Sequence, residues 1–269
     1  MINVKQMISL SGDSIKNEDL IWYGPGDVMV LDGSTSLSPS KLNAVWFVER
    51  FRSLYAEAIQ ATDDICSAIN QTLEAVFASF KEALNHSDSV APEFYPSASG
   101  LFFHVKGDQL QIVTIGDCSA DIYLLDEPLP MNIYDPQVST FDQQVFDAML
   151  SLRAATGENI CDLVNHPDVR SILAQNRSSM NTDKGYRILS FGMTPCTPEE
   201  IISIPLNCIR RVVAYTDGFE DVAYLMDNSG LTLEEAGAAL RQAEDQDPLL
   251  NENVRFKIHD DASAIEFEV

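Results

Sequence analysis

Residues 18–33, EDLIWYGPGDVMVLDG, hold the reading on which the fold turns. Residues 18–24 and 28–32 have the apolar character of two short strands, and Gly24-Pro25-Gly26-Asp27 between them is turn chemistry. Acids frame this hairpin. Glu18 and Asp19 precede the first strand, and Asp32 follows the apolar run Val28–Leu31 directly, with Gly33 next. A carboxylate at the end of a buried strand is held rigidly at the edge of a sheet.

Working outward, Ser38-Pro39-Ser40 opens a long helical region in which Val45, Val48, Phe51, Leu54, Tyr55 and Ala58 recur at helical spacing. Thr62-Asp63-Asp64 caps a second helix, with Ile65, Ile69, Leu73, Val76 and Phe80 on one face. Residues 87–98 are loop-like. LFFHVK (101–106), the turn Gly107-Asp108, QLQIVTIG (109–116) and ADIYLL (120–125) then read as a meander. From about 130 to 185 short helices and polar linkers are expected. Residues 201–205 and 211–216 are strand-like, and the second run stops at Asp217-Gly218. Thr232 and Glu235 form a capping box for a helix through Leu240, and ASAIEFEV (262–269) alternates like a last strand. The sum is α+β with largely antiparallel pairing.

The same placement of acids recurs. Asp117 follows the strand 111–115 within Gly116-Asp117, Asp217 follows the strand Val212–Tyr215 by one residue, and Asp260-Asp261 precede the last strand. Asp-Gly and Gly-Asp pairs are ordinary turn chemistry, so each alone reads as a turn. Their joint placement at several strand ends is what points further. Carboxylates that converge repel one another, and a cation must offset that repulsion. Oxygen-only ligands select hard divalent ions, magnesium or manganese.

Composition narrows the classes. The chain has 269 residues, 17 Lys+Arg against 41 Asp+Glu and a formal net charge of −24. Such an acidic surface repels nucleic-acid phosphates and anionic lipid, so neither is an expected partner. With 45% hydrophobic residues the acidity is not that of a disordered chain. The first residues do not read as a secretory signal, and no apolar stretch has the length of a membrane span. Cys66, Cys118, Cys161, Cys196 and Cys208 are scattered and odd in number, and the four histidines form no paired motif. A disulfide framework and a zinc site are therefore not expected, and a reduced, cytoplasmic setting is. Cys118 reads as a packing residue, since acidic neighbours raise a thiol pKa. Trp22, Trp46, Phe47 and Phe51 read as core. Glu234-Glu235 and Glu244-Asp245-Gln246-Asp247 read as a solvated helix face and its exit. His259-Asp260 lacks the further helical histidines that an HD phosphohydrolase would need.

Four segments in order resemble the metal-dependent serine/threonine protein phosphatases of the 2C type (PPM). Asn17-Glu18-Asp19 with Val30-Leu31-Asp32-Gly33 is similar to the family's N-E-D and first Asp-Gly. Ser99-Gly100 with Ile115-Gly116-Asp117-Cys118 and Ile122-Tyr123-Leu124 is similar to its S-G and G-D-S-x-x-Y-L. Tyr215-Thr216-Asp217-Gly218-Phe219-Glu220-Asp221-Val222 resembles S-D-G-x-x-D-V, and Asp260-Asp261-Ala262-Ser263 its closing D-N/D-x-S/T. The resemblance spans 1–269 as a single phosphatase-like domain and implies a four-layer α/β/β/α sandwich of two antiparallel sheets flanked by helices. It implies a variable flap at about 130–208. It also implies roles: Asp32 bridges two ions with Gly33 as a further ligand, Asp217 and Asp260 complete one site, Glu18 serves the other with Asp19 close by, and Asp117 and Asp221 match a third, weaker site. Asp32, Asp217 and Asp260 would then be the catalytic carboxylates. The implied activity is hydrolysis of phosphoserine and phosphothreonine on phosphoproteins by metal-activated water, with two Mg2+ or Mn2+ ions.

The departures mark a divergent, bacterial-style member. Where the family commonly has a phosphate-binding arginine this chain has Ser14, and Lys16 nearby offers a point charge without a bidentate fork. Ser34-Thr35-Ser36 replaces a continuation that often ends in histidine, so a histidine general acid from that stretch is absent. Gly116-Asp117-Cys118 stands for Gly-Asp-Ser. The alternative reading is a catalytically weak or inactive phosphatase-like module that binds or regulates, and a third is a purely structural acidic domain.

Overall fold

The chain opens on a strand that its sequence pattern conceals, β1 (Asn3–Leu10). It lies at a sheet edge with every other residue exposed, but polar Gln6 falls on the inner side and Met7 on the outer side, beside a bulge between Val4 and Gln6, so residue type does not follow the alternation. The expected hairpin follows as β2 (Leu20–Tyr23) and β3 (Asp27–Gly33), paired antiparallel with Leu20 opposite Leu31. Helices α1 (Ala44–Thr62) and α2 (Ile65–Ala83) come next. Asn43 caps α1 by accepting the Trp46 N–H at 3.2 Å, so the helix starts later than the Ser38-Pro39-Ser40 signal suggests. Asp64 caps α2 as expected, accepting the Ser67 N–H at 2.8 Å.

The computed structural model describes residues 1–14, 16–35, 37, 40–84 and 90–269, with the side chains of 224–229 left aside. Ser38 and Pro39 of the expected helix start, and residues 87–89 of the expected loop, lie outside the described residues.

Strands β4 (Ala98–Lys106) and β5 (Gln109–Ile115) form the expected hairpin, but β6 (Ser119–Leu124) does not continue it. Instead β6 crosses into the other sheet. There it pairs with β7 (Met131–Ile133) on one side and β9 (Ile209–Tyr215) on the other. A meander and a crossing have the same local sequence signature, because alternation does not say which sheet receives the next strand. The crossing turns on Gly116, whose φ is +86° and whose absent Cβ leaves room for the Ser99 side chain.

The stretch expected to hold short helices holds α3 (Gln137–Thr156), twenty residues long, with α4 (Ile160–Leu163) and α5 (Pro167–Ser178). These three pack around Val145, Met149, Ile160, Leu163, Val169 and the distant Leu250, in a small core of their own. Strand β8 (Ile202–Pro205) returns to pair with β5. After β9 comes α6 (Asp217–Ser229), where the sequence suggests only a stop. Helix α7 (Leu233–Gln246) carries the expected Thr232–Glu235 capping box, and β10 (Ala262–Glu268) closes the chain.

The sheets run β1-β10-β9-β6-β7 and β2-β3-β4-β5-β8, with antiparallel pairing throughout. Val28, Val30, Leu101 and Phe103 of one meet Ala120, Ile122, Ala214, Ile265 and Phe267 of the other. Met29, Leu31 and Phe102 point the opposite way, onto Phe47, Phe51 and Tyr55 of α1 and Ile69 of α2. Val213, Ala262 and Ala264 meet Phe219 of α6 and Ala236 and Leu240 of α7. The result is the four-layer sandwich of two antiparallel sheets flanked by helices that the sequence implies.

Two expected surface acids are buried. Glu244 accepts from Arg241 at 2.5 Å, and Asp247 accepts three consecutive backbone N–H groups from residues 251–253. Arg241 is the i,i+3 neighbour of Glu244 within α7, and the partners of Asp247 lie in the turn after the helix, which periodicity does not describe.

Gly116→Ala places a Cβ at positive φ and 2.3 Å from the Ser99 hydroxyl. It is expected to cost about 1–3 kcal/mol, read as a lower urea midpoint.

Candidate functional site

Parity along β3 places the key acid. Val28 and Val30 face the opposite sheet, and Asp32 is next in that series, at the end where the two sheets part. Its cross-strand partner is Ser99, whose hydroxyl accepts the Asp117 N–H at 3.2 Å. Asp217 is the first residue of α6, where the free N–H groups of a helix start favour a carboxylate. Gly218 beside it is required by packing, since a Cβ there would lie 2.0 Å from the Asp261 carbonyl.

Other acids at this end act as struts. Asp261 accepts the Gly12 N–H at 2.7 Å and the Glu18 N–H at 2.8 Å, tying the entry to β2 onto the opposite sheet. The Thr216 hydroxyl donates to Asp19 at 2.9 Å and accepts the Ser263 N–H at 3.0 Å. Arg241 donates to the carbonyl of Asp260 at 2.7 Å and reaches those of Leu10 and Ser11 at 3.4 and 3.3 Å. The chain before β2 and the chain before β10 are thereby locked together.

Asp32, Gly33, Asp117, Asp217 and Asp260 line one cavity of about 350 Å³. Further lining comes from α3 and α5, with Val138, Phe141, Asp142, Leu173 and Arg177, and from Tyr186, while Lys257 stands among the acids. Glu18 sits beside it: its carboxylate accepts from Thr35 at 2.5 Å and lies 3.9 Å from Lys257. Lys257 donates to Asp260 at 2.8 Å. Asp19 is buried next to these residues, and its Oδ1 finds no hydrogen-bond partner. Two sequence candidates stand apart. Lys16 is exposed and does not line the cavity, and Asp221 is exposed on α6, accepting from Asn253 at 2.7 Å. Asp142, Arg177 and Lys257 belong to no motif, which is why sequence reasoning passes over them.

Burial and mutual repulsion dominate the electrostatics. Asp32 is held well above the usual carboxylate range, first by burial and then by the charges of Asp217, Asp19 and Asp117. Asp217 is pushed up to about 7 by burial and by Asp117, with a hydrogen bond shared with Asp32 pulling it back. Asp32 therefore holds its proton more tightly in the presence of Asp217. Burial also raises Asp19, Asp117 and Glu18, and takes Asp142 to about 7. Cys118 lies fully buried behind these acids, its thiol raised by burial and by their charges, as a packing residue's would be.

Among the described residues no three of the His, Cys, Asp and Glu side chains close into a ready-made metal-binding group. The donor chemistry nevertheless fits a hard cation. The cavity's acids offer oxygen alone, Asp19 keeps a buried oxygen unpartnered, and the mutual repulsion of Asp32 and Asp217 is what a cation would relieve.

No family profile matches the chain, and no curated protein is similar to it in sequence. Solved structures are similar in fold. The catalytic domain of the serine/threonine protein phosphatase PstP, in complex with 2 manganese ions, aligns with a TM-score of 0.57 at 12% identity, over 100% of this chain and 99% of that one. The serine/threonine phosphatase Stp1 from Staphylococcus aureus aligns at 0.55 and 13%, over 98% and 94%. The PPM Ser-Thr phosphatase MsPP from Mycobacterium smegmatis, in complex with cacodylate, aligns at 0.53 and 12%, over 98% and 97%. The chain has the fold of the bacterial PPM serine/threonine phosphatases.

Linkage gives the sign of a pH effect. A carboxyl whose folded-state pKa stands above its unfolded value contributes stability that is lost as pH rises through the folded value. For Asp217 that window runs from the ordinary 3.8 to about 7, and Asp32, Asp19 and Asp142 shift the same way. Asp64 and Asp247 are held below the usual range and act only in more acid solution. Chelator-treated protein is therefore expected to melt lower at pH 8 than at pH 5.5. Asp217→Asn should recover part of the difference, up to about 1 kcal/mol because solvent screens this exposed carboxylate, measured by thermal denaturation across that range.

Proposed function

We propose that this chain is a divalent-metal-dependent phosphatase acting on phosphoserine and phosphothreonine in proteins. The observation that carries it is the set of Asp32, Asp117, Asp217 and Asp260 lining one cavity of a sandwich whose fold is that of PPM phosphatases.

In this reading Asp32 would serve two Mg2+ or Mn2+ ions with Gly33 as a further ligand, Asp217 and Asp260 would complete one site, and Glu18 would serve the other with Asp19 close by. Asp117 faces the cavity as a candidate third ligand, while Asp221 would have to release Asn253 to join it. When bound, the ions supply positive charge to phosphoryl oxygens and acidify water. The chain's own residues do the rest. Lys257 anchors Asp260 and faces Glu18, so these acids keep their aim. The struts at Asp261 and Thr216 hold the two sheets' contributions in fixed relation, which is what positioning for an in-line displacement needs. Val138, Phe141 and Leu173 give the cavity an apolar wall against which the organic part of a substrate can lie.

The direct test is hydrolysis of an aryl phosphate and of a phosphoserine peptide with manganese and with chelator. Manganese is expected to be required, and Asp32→Asn is expected to lower kcat by at least about 10²-fold. Activity unchanged by chelator, or by Asp32→Asn, would overturn the metal-dependent reading. Full manganese binding by calorimetry with no turnover on either substrate would favour a binding module instead.

A further inference from the structure

Arg177 lies on α5, in the stretch that sequence reading treats as a variable flap, yet its guanidinium is one of the most buried cationic groups in the chain. It is 9% exposed, and it lines the same cavity as Asp32, Asp217 and Asp260. Its Nη2 donates to the Thr35 carbonyl at 2.5 Å. Its Nη1 is buried and finds no hydrogen-bond partner. Glu18, Asp142 and Tyr186 are near enough to be felt electrostatically, but among the described residues none forms an ion pair with it.

A buried guanidinium without a counter-ion is costly, and the cost is recovered when an anion arrives. A planar fork with free N–H groups matches a tetrahedral oxyanion in particular. The cavity's carboxylates repel such an anion unless cations lie between. An anion that enters there therefore meets metal charge on the acidic side and Arg177 on the other. Position 14, where the resembling family commonly carries its phosphate-binding arginine, is Ser14 here, and Lys16 is exposed away from the cavity.

We propose that Arg177 is the phosphate-binding arginine of this chain, supplied from α5 to bind the phosphoryl oxygens of the substrate and the phosphate product. The Thr35 carbonyl, two residues beyond Gly33, holds the guanidinium in place from the acidic side of the cavity. Recognition of phosphate is then built into the same element that forms the cavity's outer wall. This assignment rests on the phosphatase reading above.

The test uses the full-length protein with saturating manganese and inorganic phosphate as the probe, with binding measured by calorimetry. Arg177→Met is expected to weaken phosphate about 10–100-fold while manganese binding stays as in the unaltered protein. Because an apolar replacement of a buried, unpaired charge is tolerated or stabilising, the variant should fold. Arg177→Lys, which keeps the charge but loses the fork, is expected to fall between the two and serves if Arg177→Met does not fold. Phosphate affinity within twofold of the unaltered protein in both variants, with manganese binding and hydrolysis intact, overturns the role of Arg177 alone. If the unaltered protein binds no phosphate in manganese, this role and the phosphatase reading fall together.

Discussion

Repulsion among clustered carboxylates is the constraint that organises this molecule. Asp32, Asp117 and Asp217 line one cavity together, and each is pushed above the usual carboxylate range, first by loss of solvation and then by neighbouring acids. A hydrophobic core gains nothing from such a cluster, since each charge loses its water and meets its own kind. The sandwich sustains it only because the sheets are cemented elsewhere. The inter-sheet core of Val28, Val30, Phe103, Ile122, Ile265 and Phe267 is fully buried, and α1, α2, α6 and α7 cover both outer faces. The clustered acids are confined to the end where the strands stop.

Two neighbouring acids show how labour is divided there. Asp261 spends both oxygens on backbone N–H groups of Gly12 and Glu18 and is a structural clamp between sheets. Asp260 faces the cavity, steadied by Lys257. One residue along the chain reverses the role because successive side chains of extended backbone point to opposite sides. The same logic separates Thr216, which bonds Asp19 and Ser263, from Asp217, which faces the cavity.

Much of this is legible in the linear chain. Strand ends marked by an acid and a glycine are local signals, and Asp32, Asp117, Asp217 and Asp260 all prove to line the cavity. The hairpin at residues 20–33, the cap at Asp64 and the capping box at Thr232 follow equally from neighbours in sequence. Other features stay hidden for identifiable reasons. β1 is a bulged edge strand, so its pattern is blurred. β6 reads as the third strand of a meander because alternation is blind to which sheet a strand joins. Glu244 and Asp247 read as solvated because their partners, Arg241 and a backbone turn, are not encoded by periodicity.

The sequence by itself therefore determined the antiparallel class and the acids at the strand ends, because turn chemistry and period-two alternation act between near neighbours. Tertiary structure alone decided which acids share a cavity and which cations answer them. Lys257 reaches Asp260 and Glu18, and Arg177 reaches the Thr35 carbonyl on the same cavity, only because α5 and the segment before β10 pack there. Charge pairing depends on distance in space, and residues 18, 177 and 257 acquire that proximity only once the chain has folded.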